Sequence, residues 1–229
     1  MESSSQAAKL LADEIARKIQ DKIQNQQYAP GQRLTVRKLC EEFGASETPI
    51  KQALNQLVTT GLVVSIPKCG MRVRKFTFEE MKENWEARLM IEQFCAASAV
   101  EAARRDDAFV ARVQAHLQEV NHVYQCCIDE FDQANFNLLL APDRSLHTEL
   151  VACCKNRQII QMYNRLNAHS GMFVGYDFYS EEILYEVMEQ HSQLVDRLLL
   201  CDLEGFQKAI QTHIYSTIRI YRALQRPSL

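Results

Sequence analysis

The sequence predicts a mostly α-helical protein with a single β-hairpin. Glycine and proline are scarce, with 7 and 5 copies in 229 residues, and these are the residues that most often interrupt helices. Apolar residues recur at close to the helical period of 3.6 over most of the chain, as at Leu11, Ile15, Ile19 and Ile23. Only residues 62–75 carry two β-like runs, and these flank a Pro-Lys-Cys-Gly turn.

The first 76 residues predict a small domain of their own. Gly44 and Gly61 mark helix ends, Ser46 is a good N-cap, and Pro49 falls in a first turn, where its missing N–H costs little. Helix, short helix, turn, helix and hairpin is the order of a winged helix-turn-helix. The elements of this domain are predicted as helices 6–25, 36–43 and 46–61 and strands 62–66 and 71–75.

Residues 77–229 predict a second domain that is all helical. Thr77 and Glu80 have the spacing of a capping box, which marks the start of the first helix. Asp106-Asp107, Ala141-Pro142, Lys155-Asn156 and Cys201-Asp202 are predicted joints between helices. The periodicity favours helices at about 79–104, 107–131, 143–153, 157–169, 180–200 and 203–223.

The charge is distributed unevenly between the two domains. Residues 1–76 contain 12 basic and 7 acidic residues, a balance of +5, whereas residues 77–229 contain 14 and 22, a balance of −8. A basic domain is suited to a polyanion such as DNA, and an acidic one is not.

The sequence contains no predicted membrane or export segment. No apolar run approaches the roughly 18 residues that span a bilayer. The first six residues are polar and lack the basic and apolar parts of a signal peptide. We therefore expect a cytoplasmic protein.

The eight cysteines form no C-x-x-C pair, so neither a zinc ribbon nor a thioredoxin motif is predicted. One interpretation is that they are reduced thiols used as small apolar side chains; the other is redox sensing. Two vicinal pairs occur. The cysteines are Cys40, Cys69, Cys95, Cys126, Cys127, Cys153, Cys154 and Cys201.

Residues 9–75 resemble the DNA-binding domain of the GntR family of regulators. The resemblance is carried by Pro30–Leu34, Arg37–Leu39, Gly44–Leu54, Gly61–Val63 and Gly70–Val73. It implies that the helix beginning at Ser46 enters the major groove and that the hairpin, with its basic residues, contacts the flanking DNA. The residues expected at DNA are Arg37, Ser46, Glu47, Thr48, Lys51, Lys68 and Gly70.

Two of these positions depart from the family pattern, which has Arg where this chain has Glu47 and Lys51. Glu47 repels phosphate unless it accepts a hydrogen bond from a cytosine amino group. Lys51 can contact guanine but lacks the two-pronged geometry of a guanidinium. We therefore expect an operator that differs from those of better-known relatives.

The helical domain contains four residues with the spacing of a metal site. Asp143 and His147 are four residues apart and share a helix face. His191 and His213 each lie eleven residues from Asp202, so an antiparallel helix pair that turns there brings them to one level. Three imidazoles and a carboxylate suit Zn²⁺, the favoured ion, and also Ni²⁺ or Mn²⁺.

Residues 79–222 are similar to the FCD ligand-binding domain of the FadR subfamily. Met81, Arg88, Glu92 and Ala96-Ala97 match its first helix, and Asp143, His147, Asn156, His191, Asp202 and His213 match its metal-binding pattern. The resemblance implies an antiparallel bundle of six or seven helices, in which the metal anchors a small organic acid or sugar acid. Arg88 is expected to pair with that effector's carboxylate or, equally, with Glu92. His169 is a further candidate to line the pocket.

These expectations describe a homodimeric repressor, not an enzyme, that binds a roughly palindromic DNA operator and is controlled by its effector. Three alternatives stay open: a metal hydrolase, a repressor that senses the metal itself, and a regulator that binds long acyl groups. No general base at a diagnostic spacing supports the hydrolase, and the complete Asp/His set disfavours the acyl binder.

Overall fold

The computed structural model describes residues 2–24, 27–75, 77–166, 176 and 179–223. The chain forms two compact units, Met1–Lys75 and Phe76–Leu229. That the first unit binds DNA and the second binds an effector stays a prediction.

The first unit contains three helices and a small sheet. Apolar residues of its first and third helices, Ile15, Ile19, Ile50, Leu54 and Leu57, are at most 3% exposed and form its core. The elements are α1 (Glu2–Gln24), β1 (Arg33–Leu34), α2 (Val36–Phe43), α3 (Glu47–Thr59), β2 (Val63–Ile66) and β3 (Gly70–Val73).

The helix ends of this unit follow the predicted signals. Gly44 has a φ of 60°, in the left-handed region where glycine carries no steric penalty, and it ends α2. Gly61 has a φ of 74° just after α3, and the N–H of Leu62 donates to the carbonyl of Leu57 at 3.0 Å. Ser46 occupies the N-cap of α3 with an extended backbone, but its hydroxyl makes no capping hydrogen bond.

The wing is a three-stranded antiparallel sheet in the order β1-β3-β2. In the register, Leu34 pairs with Met71 and Val64 pairs with Arg72. The prediction that the hairpin is the chain's only β structure was wrong, because β1 also pairs with β3. A strand of two residues is too short to show the two-residue alternation from which strands are predicted.

The second unit is a helical bundle, and the predicted fold class is confirmed. Thr77 and Glu80 form the predicted capping box at its first helix. Most of its fully buried apolar side chains come from α4, α5, α7, α9 and α10. The helices are α4 (Phe78–Arg105), α5 (Asp107–Asp129), α6 (Gln133–Leu138), α7 (Leu140–Ala152), α8 (Arg157–Leu166), α9 (Glu181–Leu199) and α10 (Leu203–Ala223).

Two details of this unit differ from the prediction. The short helix α6 was not predicted. The joint expected at Ala141-Pro142 lies at Leu139, which ends α6 and precedes α7. Pro142 therefore lies in the first turn of α7, where no intrahelical partner exists for the missing N–H. Within the described residues, none of the helices is both long and apolar enough to cross a membrane.

Truncating Leu194, which is 0% exposed in the core of the bundle, is expected to lower the free energy of unfolding of the second unit by about 2–5 kcal/mol. Leu200→Ala is the matched control, because Leu200 is 71% exposed, and its effect should stay within about 0.5 kcal/mol. Urea denaturation followed by fluorescence of Trp85 measures both, since Trp85 is the chain's single tryptophan and is buried in the same core. Equal effects of the two variants would contradict the placement of Leu194.

Candidate metal centre and nucleic-acid interface

Four polar side chains meet inside the bundle. Asp143 and His147 extend from consecutive turns of α7, His191 from α9 and His213 from α10, and all four are at most 2% exposed. Their potential ligand atoms lie within 4.8 Å of one another. The rings of His191 and His213 are 4.4 Å apart, centre to centre. The structure thus brings together the full set of predicted metal ligands.

Hydrogen bonds orient two of the imidazoles. The Nδ1 of His191 lies 2.9 Å from the carbonyl oxygen of Val187, and the Nδ1 of His147 lies 3.1 Å from an oxygen of Glu92. Because a carbonyl and a carboxylate only accept, each Nδ1 is assigned the hydrogen, and each Nε2 keeps its lone pair. A histidine that ligates a metal commonly has such a partner on its other nitrogen.

The Nε2 of His191 is 2.8 Å from Oδ1 of Asp143, so two acceptor atoms face each other in a buried site. Two acceptors at this distance repel unless a proton or a cation lies between or beside them. Among the described residues, Nδ1 of His213 is a buried nitrogen with no hydrogen-bond partner. These donor atoms fit a divalent cation with three nitrogen ligands and one oxygen ligand.

A buried ion pair supports the cluster from α4. The Nε of Arg88 donates to Oε1 of Glu92 at 2.6 Å, and the hydroxyl of Tyr163 donates to the same oxygen at 2.7 Å. Arg88 is therefore a partner of Glu92, as one of the two interpretations expected, and it uses its Nε for this contact. Its Nη2 is buried and has no hydrogen-bond partner among the described residues, so one donor of the guanidinium is still available.

Burial and nearby charge shift the pKa values of the site. Burial alone would raise the pKa of Glu92, but the charge of Arg88 and the hydrogen bonds from His147 and Arg88 outweigh it and hold that pKa well below its ordinary value. Burial, reinforced by the charge of Arg88, lowers the pKa of His147. Burial and the neighbouring histidines lower the pKa of His213 well below its usual range. His147 and His213 therefore favour the neutral form, which is the form that binds metals.

In the first unit, α3 presents Ser46, Glu47, Thr48 and Lys51 as exposed side chains at its N-terminal end. The Nζ of Lys51 lies 2.6 Å from Oε2 of Glu47. This hydrogen bond and charge lower the pKa of Glu47 and raise that of Lys51. Glu47 and Lys51, the two residues that depart from the GntR pattern, therefore pair with each other. Arg37 on α2 is likewise exposed and pairs with Glu41 at 3.2 Å.

The wing turn places Lys68 and Gly70 at its exposed tip, with φ angles of 63° and 83°. Lys51 lies close to the wing, because it lines one groove together with Arg33 and Gly70. The Nη1 of Arg72 donates to the carbonyl of Gly31 at 2.9 Å, so this side chain braces the sheet.

Comparisons with known proteins agree with both units. The model of a family described as "Bacterial regulatory proteins, gntR family" matches residues 11–73, and the FCD domain model matches residues 83–216. The chain belongs to the gntR family. The FCD domain beside it is the architecture of the FadR subfamily, and this gntR-family protein is a DNA-binding transcriptional regulator.

Individual relatives cover most of the chain. It is 24% identical over 202 residues to the HTH-type transcriptional repressor GlaR of Escherichia coli K12, a match that covers 84% of this chain and 87% of that protein. It is 23% identical over 201 residues to the Nta operon transcriptional regulator of Aminobacter aminovorans, covering 85% and 89%. The solved structure of E. coli McbR/YncC has the same fold, with a TM-score of 0.72, 20% identity and coverage of 94% and 99%.

Two residues of the FCD-like sequence pattern lie outside the cluster and cap helices instead. Oδ1 of Asn156 accepts from the N–H groups of Gln158 and Ile159 at the start of α8. Oδ1 of Asp202 accepts from the N–H of Gly205 at the start of α10. Both residues thus fix the helix turns from which the site is built.

The other two described histidines, His116 and His122, lie outside this cluster. His116 is half-buried and His122 is exposed, with its ring nitrogens 3.9 Å from the Sγ of Cys126. His169, the further pocket candidate, lies outside the described residues.

Sequence reasoning missed several residues around the site. Glu92 was considered only as a partner of Arg88, although it also orients His147. Tyr163 and the Val187 carbonyl were not singled out, and no local spacing points to either. Tyr124 was also missed: its ring lies 5.7 Å from that of His191, and its buried hydroxyl has no hydrogen-bond partner among the described residues.

Removing one predicted ligand should remove the metal. In His213→Ala we expect the affinity for Zn²⁺ to fall by more than about 100-fold. Removing a residue that only hydrogen-bonds to a metal ligand already lowers metal affinity by up to about 100-fold, and His213 is itself a predicted ligand. His122→Ala is the control, because it deletes an exposed histidine outside the cluster. Metal content after dialysis against a competing chelator, measured by mass spectrometry, gives the comparison. Equal metal content in the two variants would exclude this cluster as the site.

Proposed function

We propose that the protein is a homodimeric repressor whose FCD domain holds a divalent metal, most favourably Zn²⁺, and a small carboxylate effector that changes operator binding. The observation that carries the proposal is the buried cluster of Asp143, His147, His191 and His213 beside the Arg88 guanidinium. A ligand that joins the metal to Arg88 contacts α4, α7, α9 and α10 at once. Such a ligand can change how these helices pack.

The charge balance of the site supports an anionic effector. Arg88 contributes one positive charge, and Glu92 and Asp143 contribute two negative ones. With neutral imidazoles the site therefore carries about −1 without metal and about +1 with a divalent ion. An acid is attracted only to the metal-loaded form. On an octahedral ion such as Ni²⁺ or Mn²⁺, four protein ligands leave coordination positions for a carboxylate oxygen, and Zn²⁺ admits one by expanding its shell to five ligands. The buried Nη2 of Arg88 is a further group suited to a carboxylate.

The first unit supports contact with a DNA operator. It has a balance of +5 over residues 1–76, and the exposed N-terminal end of α3 carries the residues expected at base edges and phosphates. A dimer places two such helices on half-sites of a roughly palindromic sequence. The effector acts only if it binds the DNA-competent and DNA-incompetent conformations with different affinity.

Operator binding tests the α3 assignment. Lys51→Ala should weaken binding to the gene's own upstream DNA by at least about fivefold, as expected for the loss of one base contact. Lys82→Ala is the control, because it removes the same charge from a partly exposed i,i+4 pair with Glu86 on α4. Glu47→Gln should tighten binding to DNA of unrelated sequence by about two- to fivefold, since it removes a negative charge from a helix N-terminus that faces phosphate. It should gain less on an operator whose cytosine amino group satisfies Glu47.

Fluorescence anisotropy at fixed salt, with labelled operator and with labelled DNA of unrelated sequence, measures all three variants. Salt must be fixed because phosphate contacts weaken steeply as it rises. If Lys51→Ala binds as tightly as Lys82→Ala does, α3 is not the helix that contacts the bases.

A second variant tests the effector site. Arg88→Lys keeps a positive charge beside Glu92 but loses the planar fork of the guanidinium. We expect it to retain Zn²⁺ and operator binding while its affinity for a carboxylate effector drops by about tenfold or more. A thermal-shift screen of small organic acids, run with and without chelator on wild type and variant, is the measurement.

The outcomes of this screen are distinct. A stabilising acid whose effect survives chelation would contradict the metal-anchored site. A protein that responds to Zn²⁺ in its operator affinity, and to no acid, would instead be a repressor that senses the metal itself.

A further inference from the structure

Two of the cysteines lie against each other beside the metal cluster. Cys95 is on α4, three residues beyond Glu92, and is 2% exposed. Cys154 packs against the small apolar group formed by Ile91, Cys95, Val151 and Tyr163. The two thiols interact with each other. Both are free, as are the chain's other cysteines.

The backbone around Cys154 differs from that around Cys95. Cys154 follows the end of α7, in the tight turn that leads to α8, where Lys155 has a φ of 53°. The N–H of Asn156 donates to the Sγ of Cys154 at 3.4 Å. Cys154 is half-buried, so an oxidant can reach it from solvent, whereas Cys95 is buried. A turn also adjusts more readily to the geometry of a disulfide than the middle of a helix does.

We propose that Cys95 and Cys154 are a redox modification site that forms an intramolecular disulfide when the protein meets a hydroperoxide. The Sγ of Cys154 attacks the peroxide, an S–O bond forms as the O–O bond breaks, and an alcohol or water leaves. The sulfur of Cys95 then attacks the resulting sulfenic acid. An S–S bond forms, the S–O bond breaks, and the hydroxyl leaves as water with the proton of Cys95.

The environments of the two thiols set this order of events. Burial, followed by the contact with Cys154, raises the pKa of Cys95 to about 12. Cys95 therefore remains a thiol at neutral pH and does not react first with an oxidant, since the thiolate is the nucleophile. Once Cys154 is oxidised, the adjacent Cys95 is the group positioned to resolve it.

The other thiols have different surroundings. Cys153, the sequence neighbour of Cys154, directs its Sγ to the carbonyl of Glu149 at 3.6 Å. Cys127 is buried in the main core of the bundle. Cys69 and Cys126 are exposed, so they can react with oxidants but lack the position beside Cys95. The sequence shows Cys154 only as a member of a vicinal pair with Cys153, whereas the packing places it against the group that contains Cys95.

The disulfide would tie α4 to the α7–α8 turn, next to the residues that support the metal cluster. Glu92 lies about one turn from Cys95, and Tyr163, which donates to Glu92, belongs to the same apolar group. A covalent link here restricts movement of α4 against α7. The proposal does not depend on the metal, the effector or the operator, because the two sulfurs are adjacent whatever the site holds.

Peptide mapping by mass spectrometry without reduction tests the proposal on the full-length protein. After brief treatment with hydrogen peroxide, we expect Cys95–Cys154 to be the main intramolecular disulfide in wild type and to disappear on addition of dithiothreitol. Cys153→Ser is the matched control and should form it to the same extent. In Cys95→Ser the disulfide is lost, and Cys154 should accumulate as sulfinic acid several-fold faster than the buried Cys127 does.

Three results would overturn the proposal. One is a wild-type protein in which Cys154 is oxidised no faster than Cys127. Another is a disulfide between Cys153 and Cys154 as the main product. The last is cross-linking that occurs only between chains, through the exposed Cys69 or Cys126. The wild-type map decides among these without any variant, so a variant that fails to fold does not leave the question open.

Discussion

The candidate site depends on one buried carboxylate, that of Glu92. Its two oxygens accept from Arg88 on α4, Tyr163 on α8 and His147 on α7. A buried carboxylate without such donors would be strongly destabilising, and removing one partner of a buried ion pair typically costs about 3–5 kcal/mol. Three helices are therefore held in register by a charge that must be satisfied. The same interaction turns His147 so that its Nε2 faces the other predicted ligands.

Two features set the geometry of the ligand set: hydrogen bonds to the imidazoles and the turn between α9 and α10. On α7 and α9, hydrogen bonds from Nδ1 of His147 and His191 fix which nitrogen faces inward. On α9 and α10, the turn at Leu200–Asp202 sets the level at which His191 and His213 meet, with Cys201 at a φ of 54° and Asp202 capping the helix that follows. Each feature uses backbone or carboxylate oxygens, so the inward orientation of the imidazoles is built in before any ligand arrives.

The features that could be predicted from the sequence are those set by residues close together in the chain. Gly44, Gly61 and the Thr77–Glu80 box are local, and they gave the helix ends. His191 and His213 were placed by counting from a turn. By contrast, β1 is too short to show the alternation from which strands are predicted. Pro142 was interpreted as a break between helices, although the first turn of a helix accepts proline. The contacts of Glu92 with His147 and Tyr163 span 55 and 71 residues. No spacing rule reaches across three helices, so its central role emerged only from packing.

The pairing of Glu47 with Lys51 bears on how this regulator differs from its relatives. Both side chains are exposed, and such pairs contribute little stability in water. Lys51 can therefore leave Glu47 for DNA at little cost, but the carboxylate then stays near the phosphates without a partner. That penalty is relieved where Glu47 meets a donor on a base edge, and the cytosine amino group is the donor that the major groove offers to a carboxylate. A repulsive residue thus becomes a selective one, because it weakens binding to most sequences more than to the one that satisfies it.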